Sequence, residues 1–537
     1  MKQIIQKMLK NALEEAKKTE KWENDIISQS LEIEVDYPKN ESFGDYTTNL
    51  AMILGKKINK NPLEMAQLIA SQVKTSENQN VFEKIEVVAP GYINFYLSKQ
   101  YLQNLVEKIN VEKASFGGSE IGKGIKIDNE FISANPTGPL TVGNGRGGFY
   151  GDALSNVLKK VGFDVVNEYY VNDAGGQIEK LGHSVLKDEQ AAYSGKYIDE
   201  LNLKYGNIAD VREVGKKAAA EILENIIKEI ASKKMQINFD VWMSEQELND
   251  KEYDKRSIEI LNKKGLTYKS EEALWLRTTD FGDDKDRVLI KKDGKNAYMA
   301  GDCGYMLNKI ERGYSRLIMG LGADHHGYVS RLKAIASALG FVGDFRIIIS
   351  QMVRVIKDGK EVRMSKRAGN VVYIDELIEE IGHDVTRFFF LMYSPDTHMN
   401  FDLGLATEKS QKNPVFYVQY AHARICSILE KANQGPSLSD SRTVLEDLTH
   451  EKELSLIREL NKFPELIEEI AQSYQVHKLP HYAIRLADKF HAFYDACRVL
   501  DENDEKTTNA RLSLVNAVRI VLSETLNLIG VSAPEKM

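Results

Sequence analysis

A glycine-rich loop holds the first residues whose types and spacing suggest chemistry. Between Asn135 and Gly148, the glycines Gly143, Gly145 and Gly148 match the pattern G-x-G-x-x-G. Such glycines let backbone N–H groups approach a phosphate, and a helix beginning there adds a favourable dipole. About eight residues, two of them prolines, separate the preceding strand from the first glycine, whereas a dinucleotide loop follows its strand directly. A dinucleotide site, a mononucleotide site and a tight structural turn all stay open.

A basic segment further along the chain suggests phosphate chemistry of another kind. Residues 354–370 read RVIKDGKEVRMSKRAGN, with six basic residues against two acidic ones. A mobile loop that carries Lys366 suits stabilisation of a pyrophosphate leaving group. The alternative is a solvated basic hairpin that turns at Asp358-Gly359.

Two histidines follow an apolar run in the segment GADHHGYVSR, residues 322–331. At the C-terminal end of a parallel strand, this segment would lie where α/β proteins bind ligands. Asp324, His325 and His326 include metal-ligating types, but adjacent histidines point differently and no third ligand has a useful spacing. A hydrogen bond to a ribose or base is therefore favoured over a metal site, with a helix N-cap by Asp324 as the alternative.

The segment NAYMAGDCGYML, residues 296–307, places Tyr298 and Asp302 four residues apart. On a helix they would share one face. An aromatic ring beside a carboxylate is suited to a cationic group. A buried tyrosine and a capping aspartate form the structural alternative. Glu130 and Asn135 flank the glycine loop and offer further acceptors.

Composition limits the class of protein in which these segments lie. The 537 residues correspond to about three to four domains. Hydrophobic residues at 42% and charged residues at 28% exclude a mostly disordered chain, a collagen and a disulfide scaffold. A net charge of −8 excludes a wholly basic coat protein for nucleic acid but permits an enzyme with a local basic groove.

The cysteines and the N-terminus predict a cytoplasmic protein. The three cysteines form no CxxC pair, which favours a reducing compartment. The N-terminal sequence MKQIIQKMLKNALEEAKKTEKW has helical spacing but no apolar signal-peptide core. No stretch approaches 18 uninterrupted apolar residues, so no membrane span is expected.

The elements that must position these residues fall into three regions. Residues 1 to about 110 predict a small mixed domain: an opening helix, an alternating run at 31–38, a helical stretch around 45–75, and a strand pair that turns at Pro90-Gly91. From about 126, a strand, the glycine loop, a helix and a second strand predict a βαβ unit of a parallel sheet.

The rest of the chain predicts an insertion, more of the sheet, and a helical bundle. Residues 180–275 are mostly helical and charged, and sheet signals resume at 287–290, 316–322 and 345–356. From about 406 the pattern is almost entirely helical. The expected fold class is therefore multidomain α/β.

Taken in order, these segments resemble a known family. They are SANPTGPL, TVGN, GRGG, EYYVNDAGGQI, YMAGD, GADHHGYVSRLKA, RMSKRAGN and NPVFYVQYAHARI. The chain resembles bacterial-type arginyl-tRNA synthetases, and the resemblance extends to ESFGDYTTNLAMILGKKINKNP near the N-terminus and to GVSAPEKM at the end. The glycine loop resembles the first signature of class I synthetases, and the basic segment resembles the second.

The resemblance implies three domains and a reaction. Residues 1–118 would contact the tRNA corner at the D-loop. Residues 119–405 would form a Rossmann-type catalytic domain with a connective insertion at about 180–285, and residues 406–537 would form a helical anticodon-binding domain. Arginine and ATP, with Mg²⁺, would give arginyl-adenylate and then arginyl-tRNA, generally only when tRNA is bound. No tightly bound cofactor, no resident metal, no membrane contact and a monomer are expected.

The resemblance also assigns roles to individual residues. Those expected to bind arginine are Glu130, Asn135, Tyr298 and Asp302, with Asp302 facing the guanidinium. Those expected to bind ATP are Pro136, Gly138, Gly143, Asn144, His326, Met364, Ser365 and Lys366. Catalysis is assigned to Thr141, Asn144 and Lys366, and tRNA contact to Tyr417, Gln419 and Tyr420. Bundle core is the alternative for the two tyrosines.

Both signatures depart from the family pattern. The first usually opens with histidine, where this chain has Thr141, and its closing histidine is Asn144. Loss of one donor to the transition state costs about 2–4 kcal/mol. Arg146, at the start of the helix, is a candidate substitute for the missing histidine. The second signature opens with Arg363 in place of lysine and keeps Lys366.

The sequence leaves two alternatives to an active synthetase. A catalytically weak relative that binds tRNA without charging it would explain Thr141. However, such a protein would be expected to lose the amino-acid pocket first, and all four pocket residues are present. An NAD(P) oxidoreductase would explain the glycine pattern, but the intervening prolines and the RMSKRAGN loop argue against it.

Overall fold

The computed structural model describes residues 1–20, 32–73, 79–357, 359–361, 372–433 and 445–537. The N-terminal region places helices over a small antiparallel sheet with strand order β1-β3-β2. In chain order its elements are α1 (Lys2–Glu20), β1 (Tyr46–Thr48), α2 (Leu50–Ile58), α3 (Pro62–Val73), β2 (Phe82–Val88), β3 (Tyr92–Leu97) and α4 (Lys99–Glu112).

Two predictions for this region need correction, while the opening helix and the turn at Pro90-Gly91 are confirmed. The alternating run at 31–38 forms no regular strand in its described residues, 32–38, where the only β pairing is an isolated bridge between Asp36 and Thr47. The helical stretch at 45–75 is two helices, because Asn59 adopts a left-handed conformation with φ 53° and ends the first.

The region that follows builds the central sheet. Its elements are β4 (Lys126–Glu130), α5 (Val142–Lys160), β5 (Asp164–Val171), α6 (Gly176–Leu186), α7 (Lys196–Tyr205), α8 (Val211–Ile222), β6 (Val241–Ser244), α9 (Glu245–Asp250), α10 (Tyr253–Lys263), β7 (Thr267–Ser270), β8 (Ala273–Leu276), β9 (Arg287–Ile290), α11 (Tyr298–Glu311), β10 (Arg316–Gly322), α12 (Val329–Leu339) and β11 (Asp344–Ser350). Two π-helical turns, Leu223–Ile227 and Ile230–Lys234, follow α8.

The central sheet has five parallel strands in the order β11-β10-β4-β5-β6. This confirms the predicted βαβ unit and parallel sheet. From β4 the chain winds outward first through β5 and β6, and later through β10 and β11. The order therefore reverses between β4 and β10, and in open α/β sheets ligands bind at the C-terminal edge beside such a reversal.

The predicted extent of the sheet was partly wrong. Strand β6 belongs to the central sheet although it lies inside the expected insertion. Residues 287–290 form β9 of a separate antiparallel sheet with order β7-β8-β9. The apolar run at 345–356 is two strands, since Gln351 and Met352 interrupt it and the second part pairs elsewhere.

The remaining elements form a small sheet and the C-terminal bundle. They are β12 (Val353–Lys357), β13 (Lys360–Glu361), α13 (Ile374–Ile381), α14 (His383–Leu391), β14 (Met399–Asp402), α15 (Leu403–Thr407), α16 (Pro414–Asn433), α17 (Glu451–Asn461), α18 (Phe463–Ser473), α19 (Lys478–Ala496) and α20 (Glu505–Leu528). The small sheet has the order β13-β12-β14. In the described residues beyond 406 every regular element is helical, as predicted.

Residue alternation gives the central sheet two different faces. On β10, Ile318 joins the core shared with α5, whereas Leu317 and Met319 join the core beneath α11 and α12. On β4, Asn129 Nδ2 donates to the Gly151 carbonyl of α5, whereas Glu130 faces α11. The face toward α11 therefore carries the ionisable side chains.

Candidate active site

A cavity of about 570 Å³ opens at the C-terminal edge of the central sheet, where the strand order reverses. The ends of β4, β10 and β11 and the first turns of α5 surround it. Its lining residues are Asn129–Ile132, Thr141, Gly143, Asn144, Gly147, Tyr150, Gly151, Ile318, Gly320–Asp324, Ile348 and Ser350–Met352. Glu130, Thr141, Gly143 and Asn144 were expected in the site, and the structure brings them together here.

Thr141 and Asn144 form a reciprocal cap at the start of α5. Thr141 Oγ1 accepts from the Asn144 backbone N–H at 3.3 Å, and the Thr141 N–H and hydroxyl donate to Asn144 Oδ1 at 2.9 and 2.8 Å. The threonine proton is thus engaged within the cap. Because Oδ1 already accepts two hydrogen bonds, Nδ2 is the group of Asn144 suited to a ligand oxygen.

The glycines of this loop divide into two roles. Gly143 and Gly147 line the cavity. A Cβ on Gly145 would lie 2.5 Å from Cδ1 of Ile374, and one on Gly148 would lie 2.7 Å from Cδ1 of Ile132. Gly145 and Gly148 therefore allow close packing of α5, and the match to G-x-G-x-x-G does not describe a dinucleotide loop.

Arg146 does not replace the missing histidine. Its side chain is 2% exposed, and its guanidinium donates to the carbonyls of Gln351, Ser394 and Thr397 at 2.7 to 2.9 Å. Burial lowers its pKa to about 10. Arg146 instead links α5 to the segments that precede β12 and β14, so the interpretation of Arg146 as a substitute for histidine was wrong.

Glu130 lies at the end of β4, where the cavity meets the face beneath α11. Its Oε1 accepts from the Ser133 hydroxyl at 3.1 Å, and its Oε2 lies 2.7 Å from the Tyr305 hydroxyl and 3.0 Å from Lys309 Nζ. Glu168 is its register partner on β5. Only Glu130 of this group was predicted from the sequence.

Asp302, on α11, has a buried carboxyl group with an open acceptor. Its Oδ2 has no hydrogen-bond partner in the described part of the chain. Burial raises the pKa of Asp302 to about 6, Arg331 opposes this rise, and the Glu245 carboxylate adds to it by repulsion. A buried, under-paired carboxylate is a natural partner for a cationic group.

Glu245 is a site residue that the sequence did not reveal. It follows β6 directly, and its Oε1 lies 4.0 Å from the Cβ position of Gly301, next to Asp302. Burial and then repulsion from Asp173 raise its pKa. The pKa of Tyr170 is raised by burial and by Glu245, Asp302, Glu130 and Asp173. We call these four carboxylates around Tyr170 the acidic pocket.

Several expected site residues lie apart from this arrangement. Tyr298 begins α11 but is 88% exposed. Asn135 is exposed, and Pro136 and Gly138 belong to a loop that contacts Tyr197, whose hydroxyl donates to the Thr137 carbonyl at 3.0 Å. His326 is exposed in the turn after β10. The cavity lining does not include them, and their roles stay predictions. Met364, Ser365 and Lys366 fall outside the described residues.

The three expected tRNA-binding residues lie together on α16. The Tyr417 hydroxyl donates to Asp488 at 2.7 Å, and the Tyr420 ring lies nearly parallel to the rings of Phe416 and His491, with centroids 6.2 and 6.3 Å away. Gln419 Nε2 donates to Asp384 at 2.8 Å and to the Ser532 carbonyl at 3.0 Å, so its amide joins α14 to the C-terminal segment. Both tyrosines are half-buried.

The described residues include neither a candidate metal site nor a helix that could span a membrane. They contain no group of three or more His, Cys, Asp or Glu side chains arranged to hold a metal ion. None of the helices in this part of the chain is long and apolar enough to cross a membrane.

Family models match three separate parts of the chain. They are the arginyl tRNA synthetase N terminal domain at residues 3–97, the catalytic domain of class I (R) tRNA synthetases at 207–388, and the DALR anticodon binding domain at 418–537. The fold of this chain matches the solved structure of the Thermus thermophilus arginyl-tRNA synthetase, with a TM-score of 0.80 over 100% of both chains and 21% sequence identity.

Curated relatives match along nearly the whole chain. Arginine–tRNA ligase of Staphylococcus carnosus is 42% identical over 95% of this chain and 96% of its own length. That of Bacillus licheniformis is 39% identical over 100% of this chain and 99% of its own. The chain therefore belongs to the arginine–tRNA ligases, class I aminoacyl-tRNA synthetases that activate arginine with ATP and transfer it to the 3′ adenosine of arginine tRNA.

Proposed function

We propose that the cavity holds ATP and that the acidic pocket holds the side chain of arginine, with Glu130 belonging to both. The observation that carries this assignment is the buried Asp302 carboxyl group, whose Oδ2 has no partner in the described residues, beside Glu245. A planar guanidinium offers five donors in a fixed fork that fits carboxylates bidentately, whereas an ammonium on a flexible stem is a compact point charge with three donors. The pocket therefore favours arginine over lysine.

At the ATP side, the first turn of α5 is suited to phosphate. Gly143 and Gly147 leave the backbone open to the cavity, and the helix dipole favours an anion there. Asn144 Nδ2 supplies one further donor. ATP arrives with Mg²⁺, which shields phosphate charge, and Lys366 of the basic segment would stabilise the departing pyrophosphate.

The proposed chemistry is an in-line displacement. The carboxylate of arginine attacks the α-phosphorus of ATP, the bond to the β,γ-pyrophosphate breaks, and arginyl-adenylate forms. The 3′-terminal adenosine hydroxyl of the tRNA then attacks the activated carbonyl, and AMP leaves. Tyr298 would close over the guanidinium when arginine binds, since it lies one helical turn before Asp302 on α11.

Substrate analogues test the assignment of the acidic pocket. Agmatine keeps the guanidinium and lacks the carboxylate, so it is expected to compete with arginine. Citrulline has nearly the shape of arginine without the charge, so it is expected to compete at least about 100-fold more weakly. Equal inhibition by the two compounds would contradict a pocket built on carboxylates.

A variant pair tests Glu245. Glu245→Gln is expected to raise the KM for arginine by about 30-fold or more, with little change in the KM for ATP. The matched control is Glu247→Gln on the same short helix, where the carboxylate is exposed and pairs with Lys251 at 2.5 Å. An unchanged arginine KM in Glu245→Gln would refute the role of Glu245.

For tRNA, we propose the domain limits 1–118, 119–405 and 406–537, with Tyr417 and Tyr420 stacking on anticodon bases. ATP–pyrophosphate exchange measured with and without arginine tRNA tests whether tRNA must bind first. Exchange that is strictly tRNA-dependent supports this order, and equal exchange without tRNA refutes it. We also propose that the protein is a cytoplasmic monomer without membrane attachment.

A further inference from the structure

A lysine on α11 forms ion pairs with three carboxylates on one face of the central sheet. Lys309 Nζ lies 2.8 Å from Glu168 Oε1 and 3.0 Å from Glu130 Oε2, and it also contacts Asp128 Oδ2. An ammonium has three donors, which matches the three acceptors. Asp128 and Glu130 are two apart on β4, so both point to the face that α11 covers.

Tyr305, one turn before Lys309, is the second residue of α11 that hydrogen-bonds Glu130. Its hydroxyl lies 2.7 Å from Glu130 Oε2 and 2.5 Å from Glu168 Oε1. Burial, together with Glu130 and Glu168, raises the pKa of Tyr305 far above its usual value, which keeps the donor proton in place. The Tyr305 ring also packs against Tyr170 in a tilted arrangement, with centroids 4.4 Å apart.

The cluster is shielded from water and has more acid than base. Asp128, Glu130, Glu168, Tyr305 and Lys309 are all between 0 and 8% exposed. The three carboxylates face two cations, because Arg312 also pairs with Glu168. When the three carboxylates, Lys309 and Arg312 are all ionised, the cluster keeps one net negative charge. Charges that are buried this deeply keep the geometry that their partners impose.

The spacing along α11 links this cluster to the arginine pocket. Asp302, Tyr305 and Lys309 lie at i, i+3 and i+7 of one helix, so they share a face. A single rigid element thus carries the carboxylate expected to meet the guanidinium and the two groups that hold Glu130. Any shift of Glu130 relative to Asp302 must break these hydrogen bonds.

We propose that Tyr305 and Lys309 are positioning residues for arginine, which fix the Glu130 carboxylate at a set place relative to Asp302 without touching the substrate. The inference rests on the arginine-binding role proposed above for Glu130. Tyr305 and Lys309 act through Glu130, so their effect belongs to arginine and not to ATP.

The test uses Tyr305→Phe, which removes the hydroxyl and keeps the ring. The KM for arginine is expected to rise about tenfold, while the KM for ATP and kcat change less than about twofold. The matched control is Tyr482→Phe, a buried tyrosine of α19 whose hydroxyl donates to the Glu459 carbonyl at 3.1 Å. Its arginine KM is expected to equal that of the unmodified enzyme.

A double-mutant cycle separates positioning from a general loss of structure. In a Glu130→Gln background, Tyr305→Phe is expected to change the arginine KM by less than about twofold, because the charged carboxylate that Tyr305 positions for arginine is no longer present. The inference is overturned if Tyr305→Phe raises the arginine KM by the same factor in both backgrounds. It is also overturned if Tyr305→Phe raises the KM values for arginine and ATP equally.

The cycle also distinguishes this inference from the assignment on which it rests. If Glu130→Gln alone leaves the arginine KM unchanged, the role of Glu130 and the positioning role both fail. If Glu130→Gln raises it and Tyr305→Phe does not, only the positioning role fails. Lys309→Arg keeps the charge but replaces three radiating donors with a planar fork, so it is expected to raise the arginine KM as well.

Discussion

Replacement of Asp302 by asparagine is expected to stabilise the folded protein while it damages arginine activation. In the folded protein the pKa of Asp302 rises from its usual 3.8 to about 6, through burial and the repulsion of Glu245. At about 1.4 kcal/mol for each pKa unit, ionised Asp302 costs up to about 3 kcal/mol of stability at pH 7.5. The attraction of Arg331 is already included in this net value.

The pH dependence has a definite sign. The folded state holds the Asp302 proton more tightly than the unfolded state, so the stability penalty is absent below pH 3.8 and complete above pH 6. The advantage of Asp302→Asn is therefore expected to be largest at pH 7.5 and to fall to about half at pH 5. Removal of a buried charged partner is also expected to raise the arginine KM by about 30- to 5,000-fold.

Thermal unfolding at both pH values and steady-state aminoacylation measure the two effects. The matched control is Asp164→Asn, at the exposed N-terminal start of β5, which is expected to change neither quantity. A lower melting temperature for Asp302→Asn at pH 7.5 would refute the interpretation of Asp302 as a strained carboxylate held for a cation. An unchanged arginine KM would refute its role in binding.

Three further changes have expected outcomes. Thr141→Val removes the cap hydroxyl and leaves Asn144 Oδ1 with the backbone N–H of residue 141 alone, so kcat for adenylate formation is expected to fall about tenfold or more. Thr141→Ser is expected to stay near normal, and single-turnover kinetics measure both variants. Gly182→Ala puts a Cβ 2.0 Å from the Val211 carbonyl oxygen, so it is expected to lower the free energy of unfolding in urea by about 2–3 kcal/mol. Gly176→Ala, with open space around the added Cβ, is expected to cause no such loss. Arg146→Met leaves three carbonyls without their donor, so it is expected to lower the free energy of unfolding by at least about 3 kcal/mol in the same experiment. A loss below about 1 kcal/mol would contradict the structural role of Arg146.

The sequence predicted the part of the fold that local pattern controls. The strand, glycine loop, helix and strand from β4 to β5 follow from apolar periodicity and turn residues, and so do the helices beyond 406. Four-residue strands were not predictable in the same way. Both β6 and β9 are short, and nothing local in either tells the central sheet from a separate one, so β6 was missed and β9 was misplaced.

The site residues also divide into those that a local motif reveals and those that only long-range contacts bring into place. Glu130, Asn144 and Asp302 lie within motifs of one segment each, so the sequence could single them out. Glu245 reaches Asp302 only because β6 pairs with β5 and ends at the same edge of the sheet, a long-range contact without a sequence signal. Lys309 shares a helix face with Asp302, so helical spacing could have suggested it, but its carboxylate partners lie on β4 and β5.

The cavity and the acidic pocket are expected to form one continuous active site that meets at Glu130. A crystal structure with a non-hydrolysable arginyl-adenylate analogue, such as an arginyl sulfamoyl adenosine, tests this directly. The guanidinium is expected within hydrogen-bond distance of Asp302 Oδ2 and the adenosine between Gly143 and Gly320–Asp324. A guanidinium bound away from Asp302 and Glu245, or an adenosine outside the cavity, would contradict this assignment.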